Sequence, residues 1–263
     1  MSEDHGFILD GITFSFSSLS SYETCPYCFK LSYIDIEDGR VDNAFGEFGL
    51  LMHDCLEKYL RGEVDAWDLP IYYEENYSNF VTTPFPPYPV GMAEKYYQDG
   101  LNFVEGFDFN VNDYETINIE GFVKHEYKGI ELIIKPDVVL KHKETGEIRL
   151  VDFKTSKLYN NSRDTKKIEG YMRQLHFYAY ILWLKESIEV NKIVIWYIRN
   201  QEIREYPVDQ DKIFETMDWI EETVRNIKSE QHWNPNRSKE NKYFCDQICS
   251  YRAVCSRKFE EDV

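Results

Sequence analysis

The chain has 263 residues, 43% of them hydrophobic and 16% aromatic, and carries a formal net charge of −17. That apolar content supports a sizeable core and excludes global disorder. The acidic balance excludes a protein that coats nucleic acid through bulk electrostatics, but leaves room for a local positive groove and bound cations.

No stretch approaches the ~20 apolar residues of a membrane span. The opening Met1-Ser2-Glu3-Asp4-His5-Gly6 lacks the basic region of a secretory signal. A cytoplasmic location is expected, where six cysteines speak for metal ligation rather than disulfides.

In chain order, 12–16 reads as a short strand. Ser17 or Ser18 can cap a helix running through Leu19, Tyr22 and Phe29. A second helix is expected over 48–61. The segment 70–90, rich in proline and tyrosine, reads as a surface excursion, and 92–107 as helix. Three strands follow, at 115–127, 130–141 and 147–155. Then come a helix over 168–188, a strand over 192–198 with a partner near 203–208, and a helix over 210–228 before a basic, cysteine-bearing tail. Strands followed by a helix and a further strand, with helical insertions, define an α/β or α+β fold. No domain boundary stands out, so 1–263 reads as one domain.

The sharpest chemistry lies at Pro136-Asp137 and Asp152-Phe153-Lys154. If 143–146 is a four-residue loop, His142 faces Glu147, and antiparallel pairing sets Asp137 opposite Asp152 and Lys135 opposite Lys154. Side chains two apart share a face, so all four project together, while Ile130, Leu132, Ile134, Val138 and Leu140 form a core face. Directly opposed carboxylates are destabilising without a cation between them. Oxygen ligands at such a place suit Mg²⁺ or Mn²⁺, and Lys154 can orient a water or neutralise developing charge. A lone Asp-x-Lys is usually a surface ion pair worth little, but here the carboxylates sit in mostly apolar strands, where unpaired charge is costly.

His53 lies on the 48–61 helix, and an imidazole beside two aspartates biases a site toward manganese. Gln174 and Tyr178 are four apart, neighbours on one helical face. Gln174 can hold a phosphate or a water, and Tyr178 can bond the lysine, stack on a base, or join a core stripe with Phe177, Tyr180 and Trp183. Near the end, Cys245, Cys249 and Cys255 are separated by three and five residues, with Cys25 far upstream. Four thiolates can hold an iron–sulfur cluster or a structural Zn²⁺. Cys28 competes with Cys25 as the upstream ligand, and Cys55 reads as a small buried hydrophobe.

Together these residues resemble a family. The opening Ser15-x-Ser17-x-Leu19-x-x-Tyr22-x-x-Cys25-Pro26-x-x-Phe29 is similar to the start of RecB-like PD-(D/E)XK nucleases with an iron–sulfur cluster, a group that includes the AddB nuclease domain and CRISPR-associated adaptation exonucleases. Gly49 and His53, Asp137, Asp152 with Lys154, Gln174 with Tyr178, and the cysteine triplet match that family's motifs in order. Among the departures are a three-residue first gap in the triplet, where two is commoner, and Ile134, where a glycine often precedes the aspartate.

The resemblance implies a restriction-endonuclease-like core, a central mixed sheet flanked by helices. It also implies Mg²⁺- or Mn²⁺-dependent phosphodiester hydrolysis and a [4Fe-4S] cluster on Cys25, Cys245, Cys249 and Cys255 that joins the termini. The metal would be held by His53, Asp137, Asp152 and the Phe153 carbonyl. On this reading, 1–48 and 229–263 form the iron–sulfur region, and 49–228 form the nuclease core with an insertion near 62–112.

Lys157, Arg163, Lys166, Lys167 and Arg173 follow Lys154 closely, with Tyr159 among them for base stacking. They offer a path for single-stranded DNA. The reading is an exonuclease of recombination, repair or CRISPR-type adaptation, with a recombination protein, a helicase or an adaptation protein as partner. The alternatives are a DNA-binding scaffold subunit and an endonuclease.

Overall fold

The computed structural model describes residues 6–159 and 161–255, apart from the side chains of Phe7 and Arg163. These residues form two compact units: one from 44–123 and 135–212, the other from the terminal segments together with 124–134. Among the described residues no helix is long and apolar enough to cross a membrane.

The first unit is built on a five-stranded sheet. Its strands are β1 (Tyr114–Ile119), β4 (Val138–His142), β5 (Ile148–Lys154), β6 (Lys192–Tyr197) and β7 (Glu202–Pro207), in the order β1-β4-β5-β6-β7. Three neighbouring pairs run antiparallel and β5–β6 runs parallel, so the sheet is mixed. The parallel pair is joined by the long helix α7 (Ser162–Glu186), as parallel strands require a crossover.

Strand alternation distributes the core. Val138, Leu140, Val151, Phe153, Val194 and Trp196 pack with the buried stripe of α4 (Ala44–Leu60): Phe48, Leu51, Met52, Cys55, Leu56 and Tyr59. The opposite set on β6 includes Tyr197, whose ring meets Tyr171 of α7 at 6.4 Å. Helices therefore cover both faces, a mixed α/β sheet as expected.

Two further helices, α5 (Leu69–Phe80) and α6 (Met92–Glu105), pack beside α4. The expected excursion over 70–90 is thus helical in its first half. Pro70 sits in the first turn, where a missing N–H costs nothing. Tyr73, wholly buried, anchors the helix through its hydroxyl, which donates to the Tyr97 carbonyl at 2.9 Å. Just beyond α5, the Glu47 carboxylate of α4 accepts hydrogen bonds from the backbone N–H of Thr82 (2.9 Å) and Thr83 (2.7 Å) and from both hydroxyls. Burial alone would raise its pKa; those donors outweigh burial and hold it below the ordinary value.

In the second unit, β2 (Val123–Tyr127) and β3 (Ile130–Ile134) form a separate hairpin. The expected strands 115–127 and 130–141 are each broken in two. Glu120, with φ 50°, ends the first, and 135–137 leave the ladder in the second. The supposed continuous core face of Ile130 to Leu140 is therefore divided between the units. The expected strand at 12–16 reduces to one parallel bridge, Phe14 to Leu132. A short helix α1 (Gly6–Asp10) precedes it.

Ser15, rather than Ser17 or Ser18, caps α2 (Phe16–Thr24) in a reciprocal capping box with Ser18. Cys25 is extended and separates α2 from α3 (Pro26–Tyr33), with Pro26 opening the new helix. The helix α8 (Gln210–Ser229) buries Ile213, Met217, Ile220, Val224 and Ile227 along one stripe.

The terminal segments are tied together within this unit. Tyr22 donates to Glu230 at 2.9 Å, Phe29 stacks on Trp233 with centroids 5.9 Å apart, and the Val41 N–H donates to the Ser250 carbonyl at 2.8 Å.

Candidate active site

The site assembles in the first unit, around the C-terminal end of β5. The β4–β5 register pairs Val138 with Val151 and Lys141 with Ile148, matching the facing sum of the expected hairpin. Asp137 lies one residue beyond the last pair. Its Oδ2 accepts from the Phe153 N–H at 2.7 Å, which fixes the carboxylate against β5.

Alternation along β5 then divides the labour. Phe153 faces α4, its ring edge-on to the His53 ring at 5.6 Å. Asp152 and Lys154 face the other way, toward α7. There the Lys154 ammonium donates to Gln174 Oε1 at 3.1 Å, Gln174 Nε2 donates to the Tyr178 hydroxyl at 3.0 Å, and Tyr171 lies beneath the ammonium at 4.6 Å. Gln174 and Tyr178 share a helical face, as their spacing predicts, and Tyr178 is buried.

Each nitrogen of His53 meets oxygen. Nδ1 lies 3.4 Å from Glu120 Oε1 and 3.6 Å from Asp137 Oδ1, and Nε2 lies 3.2 Å from the Phe153 carbonyl. Glu120 was not foreseen from sequence. Its N–H donates to the Asp137 carbonyl at 3.0 Å, which brings the end of β1 to the site. The only signal for it was Gly121, a turn residue inside what read as a continuous strand. Tyr171 was likewise missed, because an aromatic on an amphipathic helix reads as core.

Among the described residues, only His53, Glu120 and Asp137 bring ligand atoms all within 4.8 Å of one another. Asp152 stands outside that group. Its Oδ2 is buried without a hydrogen-bond partner, although the Lys154 ammonium is 2.7 Å away in an ion-pair contact. Lys135 does not line up with Lys154 as the hairpin reading expected. It pairs with Glu120, because the chain has left the ladder by that point.

The electrostatics follow from burial opposed by charge. Burial, then the charge of Asp152, pushes Asp137 up to about 7, against the pull of His53 and Lys154. Burial lowers His53, but Asp137 and Glu120 outweigh it and raise its pKa. Burial also lowers Lys154, but Asp152 and Asp137 raise it further. Glu120 is raised by burial and brought below its ordinary value by His53 and Lys135. The Tyr178 phenol, raised chiefly by burial, reaches about 12.

Crowded carboxylates, one with an orphaned buried oxygen, beside an imidazole and a backbone carbonyl form a donor set that fits a hard divalent cation. A cation there would relieve the repulsion that raises Asp137.

The basic segment past Lys154 is partly engaged. Lys157 lies 3.8 Å from Asp99, and Lys167 donates to the Lys157 carbonyl at 3.3 Å. Tyr159 and Lys166 are exposed, Arg173 is half-buried, and the side chain of Arg163 lies outside the described residues.

In the other unit, five thiols gather: Cys25 and Cys28 near α3, and Cys245, Cys249 and Cys255 of the tail. Cys28 Sγ lies 3.2 Å from Cys249 Sγ. The Asn236 N–H donates to Cys25 Sγ at 3.4 Å, Cys245 donates to the Asn236 carbonyl at 3.8 Å, and Arg237 donates to the Cys255 carbonyl at 2.8 Å. The hydrogen bond from Cys28 is the main reason Cys25 falls to about 6 and Cys249 to about 7, while Cys28 itself is raised. No three of the described thiols come within 4.8 Å of one another. Cys55 is fully buried on α4, in the core of the first unit.

Residues 13–256 match the family model of the PD-(D/E)XK nuclease superfamily, and the chain belongs to that superfamily. Nucleases of this superfamily typically use Mg²⁺ or Mn²⁺, and the His53, Glu120 and Asp137 group offers suitable donors. Among solved structures, the fold is similar to that of a "putative exonuclease" from Eubacterium rectale. The TM-score is 0.53 at 15% identity, covering 94% of this chain and 90% of that one. A second structure, SSO0001, aligns at 17% identity over 91% of this chain and 94% of its own with a TM-score of 0.35, too low to carry an argument. The comparison with curated proteins gives no match.

Proposed function

We propose that this chain is a metal-dependent DNA exonuclease of the RecB-like iron–sulfur branch, acting on single strands or frayed ends in recombination, repair or CRISPR-type adaptation. The observation that carries the reading is the convergence of His53, Glu120 and Asp137 beside the buried Asp152 and a half-buried Lys154 at the end of one strand. His53, Asp137, Asp152 and the Phe153 carbonyl would hold Mg²⁺ or Mn²⁺, with Glu120 beside them. When bound, such a cation lowers the pKa of water and neutralises charge on a scissile phosphate. Lys154, fixed between Asp152 and Gln174, orients the attacking water and stabilises charge developing on phosphate oxygens. Tyr178 steadies Gln174 through their hydrogen bond.

Lys157, Tyr159, Arg163, Lys166, Lys167 and Arg173 supply the approach for an unpaired strand. Cys25, Cys245, Cys249 and Cys255 are the proposed ligands of a [4Fe-4S] cluster. Support comes from the geometry of the group, in which Asn236 donates its N–H to Cys25 Sγ and accepts from Cys245 at its carbonyl. The chain works as a single nuclease domain, with 1–48 and 229–263 as its iron–sulfur region, 49–228 as its core and 62–112 as an insertion. Its partner is a recombination, helicase or adaptation protein.

The test compares end-labelled linear single strands with covalently closed circles in Mn²⁺. Degradation of the linear strand with the circle left intact is expected. Equal cleavage of both would show an endonuclease.

A further inference from the structure

We propose that Phe122 is a stacking platform for an unpaired base of the strand being cut, with Lys135 reaching the adjoining phosphate. This inference rests on the exonuclease reading and specifies its substrate as a strand whose bases present a free face. Phe122 is 68% exposed although it follows Glu120 by only two residues. A single exposed aromatic is ordinary on a protein surface, so exposure alone carries nothing. Three further observations distinguish this one.

The turn that carries it is fixed from both sides. Glu120 adopts φ 50° with its N–H bonded to the Asp137 carbonyl. The Gly121 N–H donates to Asn118 Oδ1 at 3.0 Å, and a Cβ at Gly121 would lie 2.7 Å from the Asn118 side chain. The ring is therefore presented by a backbone with little freedom, so stacking would cost little ordering entropy.

The ring is also paired with a cation. Lys135 Nζ stands 5.5 Å from its centroid, and the same ammonium pairs with Glu120, whose carboxylate is 3.4 Å from His53. An exposed aromatic with a cation over its ring thus stands at the rim of the carboxylate–imidazole cluster.

The surrounding charge selects the occupant. Lys135 and Lys154 are each paired with a carboxylate of the site, so on a chain of net charge −17 it is the divalent cation of the proposed function, with Lys135 over the ring, that draws a phosphate here. A base adjoining a phosphate held there can meet the ring, and stacking is tolerant of base identity because every base has a π-face. A paired duplex buries those faces in its own stack.

Fluorescence anisotropy in Ca²⁺ tests the proposal, with labelled oligothymidine and an all-abasic strand of equal length as probes. Stacking contributes about 1–3 kcal/mol per base, so the wild-type chain is expected to prefer oligothymidine by about 5- to 150-fold. Phe122→Ala should lose at least about fivefold of that preference, and Phe122→Trp should restore it. Full retention of the preference by Phe122→Ala overturns the proposal, as does equal binding of both strands by the wild type. Cleavage in Mn²⁺ is scored separately. Preferential binding lost in Phe122→Ala, without any cleavage by the wild type, would keep the stacking site and sink the nuclease reading.

Discussion

Asp152→Asn is expected to reduce cleavage of a linear single strand by about three orders of magnitude while leaving Tm in metal-free buffer nearly unchanged. The size follows from what the carboxylate does: catalytic cation binding and charge stabilisation each contribute several kcal/mol. The near-neutral stability follows from its surroundings. Asp152 Oδ2 is buried without a hydrogen bond, and its charge helps push Asp137 up. Neutralising it removes that repulsion, which offsets the loss of its 2.7 Å ion pair with Lys154, while Lys154 keeps its bond to Gln174 and the attraction of Asp137. Thermal melts beside a nuclease assay check both parts. Wild-type activity in Asp152→Asn would remove this site from the reaction, and a collapsed Tm would show that Asp152 serves the fold.

Cys245→Ser is expected to abolish iron binding and to lower Tm by about 10–20 °C. Metal binding to such ligands is coupled to folding. The cross-link between Cys25 and Cys245 closes a loop of about 220 residues, whose entropy grows only slowly with length. A loss of about 5 kcal/mol at about 2–4 °C per kcal/mol gives the stated range. Anaerobically purified wild type should be brown and contain iron. Cys28→Ser should keep the iron, because Cys25 is the upstream ligand that the family resemblance assigns and its Sγ accepts from the Asn236 N–H. Stoichiometric zinc without iron would replace the cluster with a structural zinc site.

Much of the site was legible because hairpin arithmetic is local. A four-residue loop of Lys143, Glu144, Thr145 and Gly146 between His142 and Glu147 sets the register that pairs Val138 with Val151, and from that register Asp137 and Asp152 meet at one end. The helical spacing of Gln174 and Tyr178 was equally readable. Glu120 was not, because its place depends on a chain reversal at a non-glycine residue with positive φ, which no hydrophobic period announces. The same reversal sends β2 and β3 into a separate hairpin, so strands that look continuous in the sequence part at Glu120 and Asp137. The helix α5 was hidden by Pro70, a residue that breaks helix interiors but suits a first turn.

The most direct test of the central claim is cleavage of an end-labelled linear single strand by the purified chain, with Mn²⁺ titrated in after treatment with EDTA. The account predicts no cleavage in EDTA and recovery as Mn²⁺ is restored. It also predicts that His53→Ala and Glu120→Gln need more Mn²⁺ for half-maximal rate, because both side chains face the same space as Asp137. Cleavage that persists in EDTA would contradict it.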